Sequence, residues 1–314
     1  MARGWRVIDA TSFEGVIAGS RGRIVLSGES QSEELPAEEI AVILIGSGAS
    51  VTAAALHYLS KHDIVVLAAD WRGVPFAGLY SWGDHGRVAA RHLAQAELSV
   101  PRRKNAWMQL VRAKILAQAA VLAEVDDLGS EHLRSVARHV RSGDPANAEG
   151  TAARFYWSRL FSGLSFRRDQ DAEDPLNSML NYGYMVLRAY GVRAVVSAGL
   201  SPPLGLFHRG RGNYFNLVDD LIEPFRAVID AAVLDLGPEA TLNDRVVKRA
   251  LVEAASAPYT AEGYRVPAVL EDLAQQLGRY VEGDVDKLAP PRWRGPEKEL
   301  VPSLMADSGG EPPW

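Results

Sequence analysis

Residues 40–68 read IAVILIGSGASVTAAALHYLSKHDIVVLA. Ile40–Ile45 and Ile64–Ala68 are unbroken apolar runs, rich in β-branched residues, and predict well-buried strands. Between them Val51, Ala54, Ala55, Leu56 and Leu59 are spaced for one apolar face, which predicts a helix over 50–62. The joint Gly46-Ser47-Gly48-Ala49-Ser50 lacks both G-x-G-x-x-G and GK[ST], and it fails the G-x-S-x-G nucleophile pattern. It reads as a strand-to-helix turn. Working outward toward the N-terminus, Trp5–Asp9, Gly15–Ala18 and Arg23–Leu26 add short strands. The last two are separated by Gly19-Ser20-Arg21-Gly22, a tight-turn composition. The block to about residue 80 is mainly β with one helix.

After about residue 85 the period lengthens. Helices are predicted over 88–98, 105–124, 130–141, 148–161, 175–190, 217–235, 242–255 and 266–282. The expected fold class is α+β and multidomain. A small β-rich domain (1–82) precedes a larger all-helical domain (83–288), with a linker near 80–86. Residues 289–314, rich in Pro, Gly and charge, predict a flexible tail.

Composition narrows the chemistry. Hydrophobic residues are 47% of the chain, enough for a sizeable core and against general disorder. There is no cysteine, which removes disulfides, thiolate nucleophiles and cysteine zinc sites. No run of about 18 apolar residues predicts a membrane span, and Met1-Ala2-Arg3-Gly4-Trp5 carries no apolar signal region, so a cytoplasmic protein fits. The net charge of −5 argues against a uniformly cationic nucleic-acid protein. Arginine nevertheless outnumbers lysine 28 to 6. Its planar fork is the better bidentate phosphate ligand, although a GC-rich genome gives the same bias. Arg87, Arg91, Arg102, Arg103, Lys104 and Arg112 predict a local basic face.

The chemistry concentrates in His208–Arg226, HRGRGNYFNLVDDLIEPFR. One imidazole lies a short loop ahead of three carboxylates, Asp219, Asp220 and Glu223. Nitrogen and oxygen donors in one segment suggest a divalent metal suited to phosphodiester chemistry. Asp220 and Glu223 are three apart and share a helical face, as do Asp219 and Glu223, four apart. The same acids also suit the dipole at a helix N-terminus, so spacing alone leaves both readings open. Pro224 is expected to kink the helix and aim Glu223 away from its regular surface. Glu149 is a first-turn glutamate behind the cap residue Asn147, and spacing does not link it to His208. His57, His62, His132 and His139 lack matching carboxylate partners and read as structural or solvated.

Four stretches together resemble one family: Gly4-Trp5-Arg6-Val7-Ile8, NAEGTAARFYW around Glu149, Asn181-Tyr182-Gly183-Tyr184, and LVDDLIEPFR. In this order they are similar to the CRISPR adaptation integrase, the "Cas one" family, and within it to the type II branch. The similarity runs from residue 4 to about 235, and more loosely to about 285. The resemblance implies a β-sandwich-like N-terminal domain for dimerisation and assembly, and a helical catalytic domain. It implies a homodimer working with a small second adaptation protein. Such an assembly binds a short duplex, the prespacer, and inserts its 3′ ends at the leader–repeat junction of the CRISPR array. The family's metal ligands fall on Glu149, His208 and Glu223, holding Mg²⁺ or Mn²⁺. Asp220 stays a competitor for the third place. Glu223 is preferred because the type II branch carries its acid immediately before Pro-Phe-Arg. Arg154, Arg209, Arg211 and Arg226 are candidates to neutralise phosphate oxygens. Hydrolysis is the expected side reaction. A general metal-dependent nuclease and a non-catalytic duplex-binding scaffold are the rival readings.

Overall fold

The computed structural model describes residues 6–29, 31–70, 75–81, 85–293 and 295–296. The first part of the chain runs β1 (Arg6–Ala10), β2 (Gly15–Ser20), β3 (Arg23–Ser27), β4 (Ser32–Pro36), β5 (Ile40–Ile45), β6 (Ala49–Val51), α1 (Ala53–Lys61), β7 (Val65–Ala69) and β8 (Pro75–Leu79). A 3₁₀ turn at Ala37–Glu39 joins β4 to β5. The helical part runs α2 (Val88–Ala96), α3 (Val100–Leu122), α4 (Asp127–His139), α5 (Ala148–Leu160), α6 (Pro175–Ser197), α7 (Asn216–Ile222), α8 (Arg226–Leu236), α9 (Arg245–Ala255) and α10 (Val266–Glu282). A 3₁₀ turn, Glu223–Phe225, separates α7 from α8.

Two four-stranded sheets form, in the orders β1-β5-β7-β8 and β4-β3-β2-β6. Strands β1, β5 and β7 are parallel neighbours. The step from β5 to β7 crosses through α1, as a parallel pair requires. Ile8, Ile17, Ile24, Leu35, Ile43 and Val66 come from both sheets and share one apolar core. This is the β-rich N-terminal part followed by a helical part that the sequence predicts.

The apolar runs of β5 and β7 have a definite cause. Successive strand residues point to opposite faces. Ile43, Ile45 and Val66 enter the core between the sheets. Val42, Leu44, Val65, Leu67 and Ala69 enter the core of the helices. Both faces of these strands are therefore buried. Asp9 in β1 adds a polar tie: the Tyr182 hydroxyl in α6 donates to its Oδ2 at 2.7 Å, and Lys248 in α9 approaches the same oxygen at 3.4 Å.

Several expectations need correction. Residues 49–51 form strand β6, parallel to β2, so the helix starts only at Ala53, capped by the Thr52 side chain. Strands β4 and β8 were not predicted: β4, Ser32-Glu33-Glu34-Leu35-Pro36, buries a single large apolar side chain, Leu35, and shows no alternation of polar and apolar residues. Helices α3 and α6 are longer than predicted, because packing extends them past the residues whose pattern announces them. The single helix expected over 217–235 is broken at Glu223-Pro224-Phe225. Residues 289–293 pack on the helices: Ala289 donates to Gln276 at 2.6 Å and Trp293 stacks near Tyr259. The remainder of the predicted flexible tail, residue 294 and residues 297–314, lies outside the described residues, as do Gly4, Trp5 and the centre of the expected linker at 82–84.

Helix α6 is almost wholly buried and packs on α7, α8, α9 and α10. A Cβ at Gly183 would meet Ile229 of α8 at 2.4 Å, and one at Gly191 would meet Val218 of α7 at 2.7 Å. These glycines let the helices that flank the Glu223 break lie close to α6. Gly183→Val is predicted to destabilise the fold by about 1–3 kcal/mol through overpacking, against only a few tenths regained in helix propensity. Thermal unfolding checks this; an unchanged midpoint would contradict the close approach.

Candidate active site

Three elements converge around one ammonium. Lys114 of α3 pairs with Glu149 Oε1 at the start of α5 and lies 2.6 Å from Glu223 Oε2. Glu149 sits in the first turn of a helix capped by the Asn147 side chain, which accepts from the Gly150 amide. Glu223 opens the 3₁₀ turn that Pro224 enforces. The expected kink is present and turns Glu223 toward α3. On its other side, Arg226 donates from Nε to Glu223 Oε1 at 3.0 Å. Burial opposes the charge on Glu223, but Arg226 and Lys114 outweigh it and hold its carboxyl at about 2. Burial likewise pulls Lys114 down, and the two carboxylates outweigh it, so the amine stays protonated. Glu223 Oε2 is buried and faces the ammonium without the alignment of a hydrogen bond.

The three carboxylates of the 208–226 segment divide the work. Asp219 takes Arg188 Nε at 2.8 Å and the Asn213 side-chain amide at 2.8 Å. Asp220 is fully buried and accepts from the amides of Leu206, Phe207 and His208, at 2.6, 3.0 and 3.2 Å. It also holds His208 Nδ1 at 2.7 Å. That bond raises the His208 pKa against the effect of burial. The imidazole stands edge-on to Trp107, which stacks on Phe207. Nε2 makes no hydrogen bond among the described residues. Gly205 is required here, since a Cβ would lie 2.3 Å from the His208 carbonyl. Asn216 closes the Arg- and Gly-rich loop by accepting from the Gly210 amide and donating to the Gly210 and Pro203 carbonyls.

Glu149 and Glu223 are thus brought together, and His208 lies near enough to Glu223 to act on its charge. As the side chains stand, no group of three His, Asp or Glu among the described residues closes on a metal-sized point. Lys114 holds the place between the two glutamates. Sequence reasoning missed it; the signal available was a lone cation in the apolar run Ala113-Lys114-Ile115-Leu116-Ala117.

Behind Glu223 lies a cavity of about 150 Å³, lined among others by Lys114, Trp157, Arg168, Arg226 and Asp230. Arg168, also missed, is steered by Asn177 and Asn181, whose side-chain oxygens accept from it at 2.8 and 2.6 Å. Asp230 accepts from the hydroxyls of Tyr184 and Tyr156.

Of the expected basic face, Arg91 is buried, Arg102, Arg103 and Arg112 are half-buried, and Arg87 and Lys104 are exposed. Arg91 and Arg87 both pair with Glu282. Arg102 donates to the carbonyls of Tyr280 and Val285, and Arg112 to that of Val140. These cations fasten α2 and α3 to their neighbours because carbonyl ends and Glu282 offer better partners than water. Arg154, Arg209 and Arg211 are exposed, whereas Arg226 is turned inward. His132 packs on Phe155 and His139 binds the Ser135 carbonyl, so both are structural.

A family model described as CRISPR associated protein Cas1 matches residues 10–251. The CRISPR-associated endonuclease Cas1 of Neisseria meningitidis serogroup C (strain 8013) is 37% identical over 230 residues, covering 73% of this chain and 75% of the relative. Among solved structures, a casposase bound to integration product superposes with a TM-score of 0.73 at 21% identity, covering 91% of this chain and 93% of that one. A Cas6-RT-Cas1–Cas2 complex gives a TM-score of 0.74 at 16% identity, covering 93% of this chain and 36% of that one. At these identities the two structures establish the fold.

Burial pushes the Asp230 carboxyl from its ordinary 3.8 up to about 6, despite the two tyrosine hydroxyls. Between those two values the folded protein therefore holds a proton there that the unfolded chain has released. Stability present below the lower value is lost as pH rises through the higher one, by about 3 kcal/mol. Asp230→Asn, neutral throughout, is predicted to lack that decline. Urea unfolding of both proteins between pH 4 and pH 7 checks this; parallel pH profiles would contradict it.

Proposed function

The chain belongs to the Cas1 family, and from that premise we propose that it is a metal-dependent DNA integrase and endonuclease of CRISPR adaptation. It joins the 3′-hydroxyl ends of short duplex DNA into the CRISPR array by transesterification. The observation that carries this reading is the convergence of Glu149 and Glu223, from separate elements, on one positive charge, with His208 within electrostatic reach of Glu223.

The donor set fits a divalent cation. Glu223 Oε2 is a buried oxygen whose partner among the described residues is the Lys114 ammonium, a cation in the place a metal would take. A histidine held through one nitrogen by a carboxylate is the arrangement that backs metal-bound imidazoles. Glu149, His208 and Glu223 would hold Mg²⁺ or Mn²⁺. When bound, the ion lowers the pKa of the attacking hydroxyl and offsets charge on the scissile phosphate. Asp220 has both oxygens engaged, which favours orienting His208 over serving as the third ligand. Arg226 fixes Glu223, leaving exposed Arg154, Arg209 and Arg211 to meet phosphate oxygens. Water in place of the 3′-hydroxyl gives hydrolysis at the same residues, hence endonuclease activity.

The partners follow from the family. Prespacer duplex and leader–repeat DNA are the substrates. A small second adaptation protein and a second copy of this chain complete the assembly, with residues 1–82 for dimerisation and 83–288 for chemistry. The integration product in the casposase structure and the Cas2 in the Cas1–Cas2 complex support DNA and the small protein. The acid immediately before Pro-Phe-Arg supports a type II-like branch. No helix among the described residues is long and apolar enough to cross a membrane. The array is the target, so the site of action is the cytoplasm.

Joining of a labelled duplex end to a repeat-bearing plasmid tests the reading and separates an integrase from a plain nuclease or a scaffold. Glu149→Ala and His208→Ala are predicted to abolish joining; wild-type rates would sink the assignment. Asp220→Ala, which frees the imidazole, should cost roughly 10–100-fold. Duplex binding should weaken steeply with salt through the exposed arginines, and a flat response would count against them.

A further inference from the structure

Lys114 has no part in the reaction described above, yet its surroundings are unusual. Its side chain is only 13% exposed, and it faces carboxylates from two other elements. Glu149, Glu223, Lys114 and Arg226 form a group whose formal charges cancel. A divalent ion added with the ammonium still in place would sit against an uncompensated positive charge. The distances also conflict. Metal–oxygen bonds to Mg²⁺ are about 2.0–2.1 Å, whereas the ammonium already occupies a point 2.6 Å from Glu223 Oε2. The two cations cannot share the place between the carboxylates.

The displaced amine has somewhere to go. Gln118 lies four residues on along α3, so its side chain neighbours that of Lys114 on the same helix face. It is 5% exposed, and its Oε1 is buried with no hydrogen bond. Both side chains line the cavity behind Glu223. A buried amide oxygen without a donor is costly, and a lysine stem with four rotatable carbons can reach a neighbouring acceptor.

Resting on the metal site proposed above, we propose that Lys114 is a resident counter-ion that keeps Glu149 and Glu223 converged before metal binds, and that the divalent ion enters by displacing its ammonium toward Gln118 Oε1. Lys114 is on this account a positioning residue. It sets metal affinity by competition and, in the metal-free protein, supplies the positive charge between Glu149 and the second oxygen of Glu223.

Manganese binding to the full-length protein without DNA, followed by electron paramagnetic resonance and calorimetry, tests this. Lys114→Met is predicted to bind Mn²⁺ about tenfold or more tightly than wild type, and to unfold at lower temperature in chelator with recovery on adding Mn²⁺. Gln118→Leu, which removes the waiting acceptor, is predicted to bind several-fold more weakly with a metal-free unfolding temperature no lower than that of wild type. Equal or weaker binding by Lys114→Met overturns the competition. Unaltered binding by Gln118→Leu overturns the displacement, and does so even if Lys114→Met fails to fold. In both cases a wild type that binds Mn²⁺ leaves the metal site standing. No binding by wild type removes the metal site and this proposal with it.

Discussion

The break at Glu223-Pro224-Phe225 governs the geometry of the site. Proline lacks an N–H and clashes with the preceding turn, so a continuous helix from Asn216 to Leu236 is not available. The break is held from several sides. Phe225 is buried, the Tyr259 hydroxyl donates to the Pro224 carbonyl at 3.0 Å, and Lys114 and Arg226 grip the Glu223 carboxylate. A regular helix would have carried Asp220 and Glu223 on one face. The break lets Asp220 organise the His208 loop while Glu223 meets Glu149 across Lys114.

Much of this was legible, for reasons that differ by residue. Strands β5 and β7 were readable because burial on two faces leaves no polar position in them. Their apolar runs did not say which residues face which core, and that division ties the sheet to the helices. The end of α10 was readable because Gly283 closes it in a left-handed turn. Strand β6 was not, because three residues paired to β2 leave no periodic trace. His208 and Glu223 stood out as metal-type donors within one segment, whereas Glu149 came from the family pattern, since spacing alone does not connect it to them. Lys114, Gln118 and Arg168 are placed by tertiary contacts; Lys114 carries a faint local sign as a lone cation in an apolar run, and nothing local distinguishes the other two from ordinary helix and loop residues. The arginine cluster was legible only in part. Charge density in sequence does not reveal that Arg91 and Arg102 turn to Glu282 and to main-chain carbonyls while Arg87 and Lys104 stay exposed.

The β-rich part and the helices are not independent. The outward faces of β5 and β7 lie in the helical core, and Asp9 joins β1 to α6 and α9 through Tyr182 and Lys248. Strands β5 and β7 also pack on α6, the helix whose glycines admit α7 and α8 on either side of the Glu223 break.

The central claim is that Glu149, His208 and Glu223 hold one divalent ion. Anomalous diffraction from crystals of the protein equilibrated with Mn²⁺ tests it most directly. The account predicts a single strong peak within bonding distance of both glutamate carboxylates and of His208 Nε2, with the Lys114 ammonium withdrawn from between them. A peak at Asp219 or Asp220 instead, or none near the glutamates at saturating metal, would contradict it.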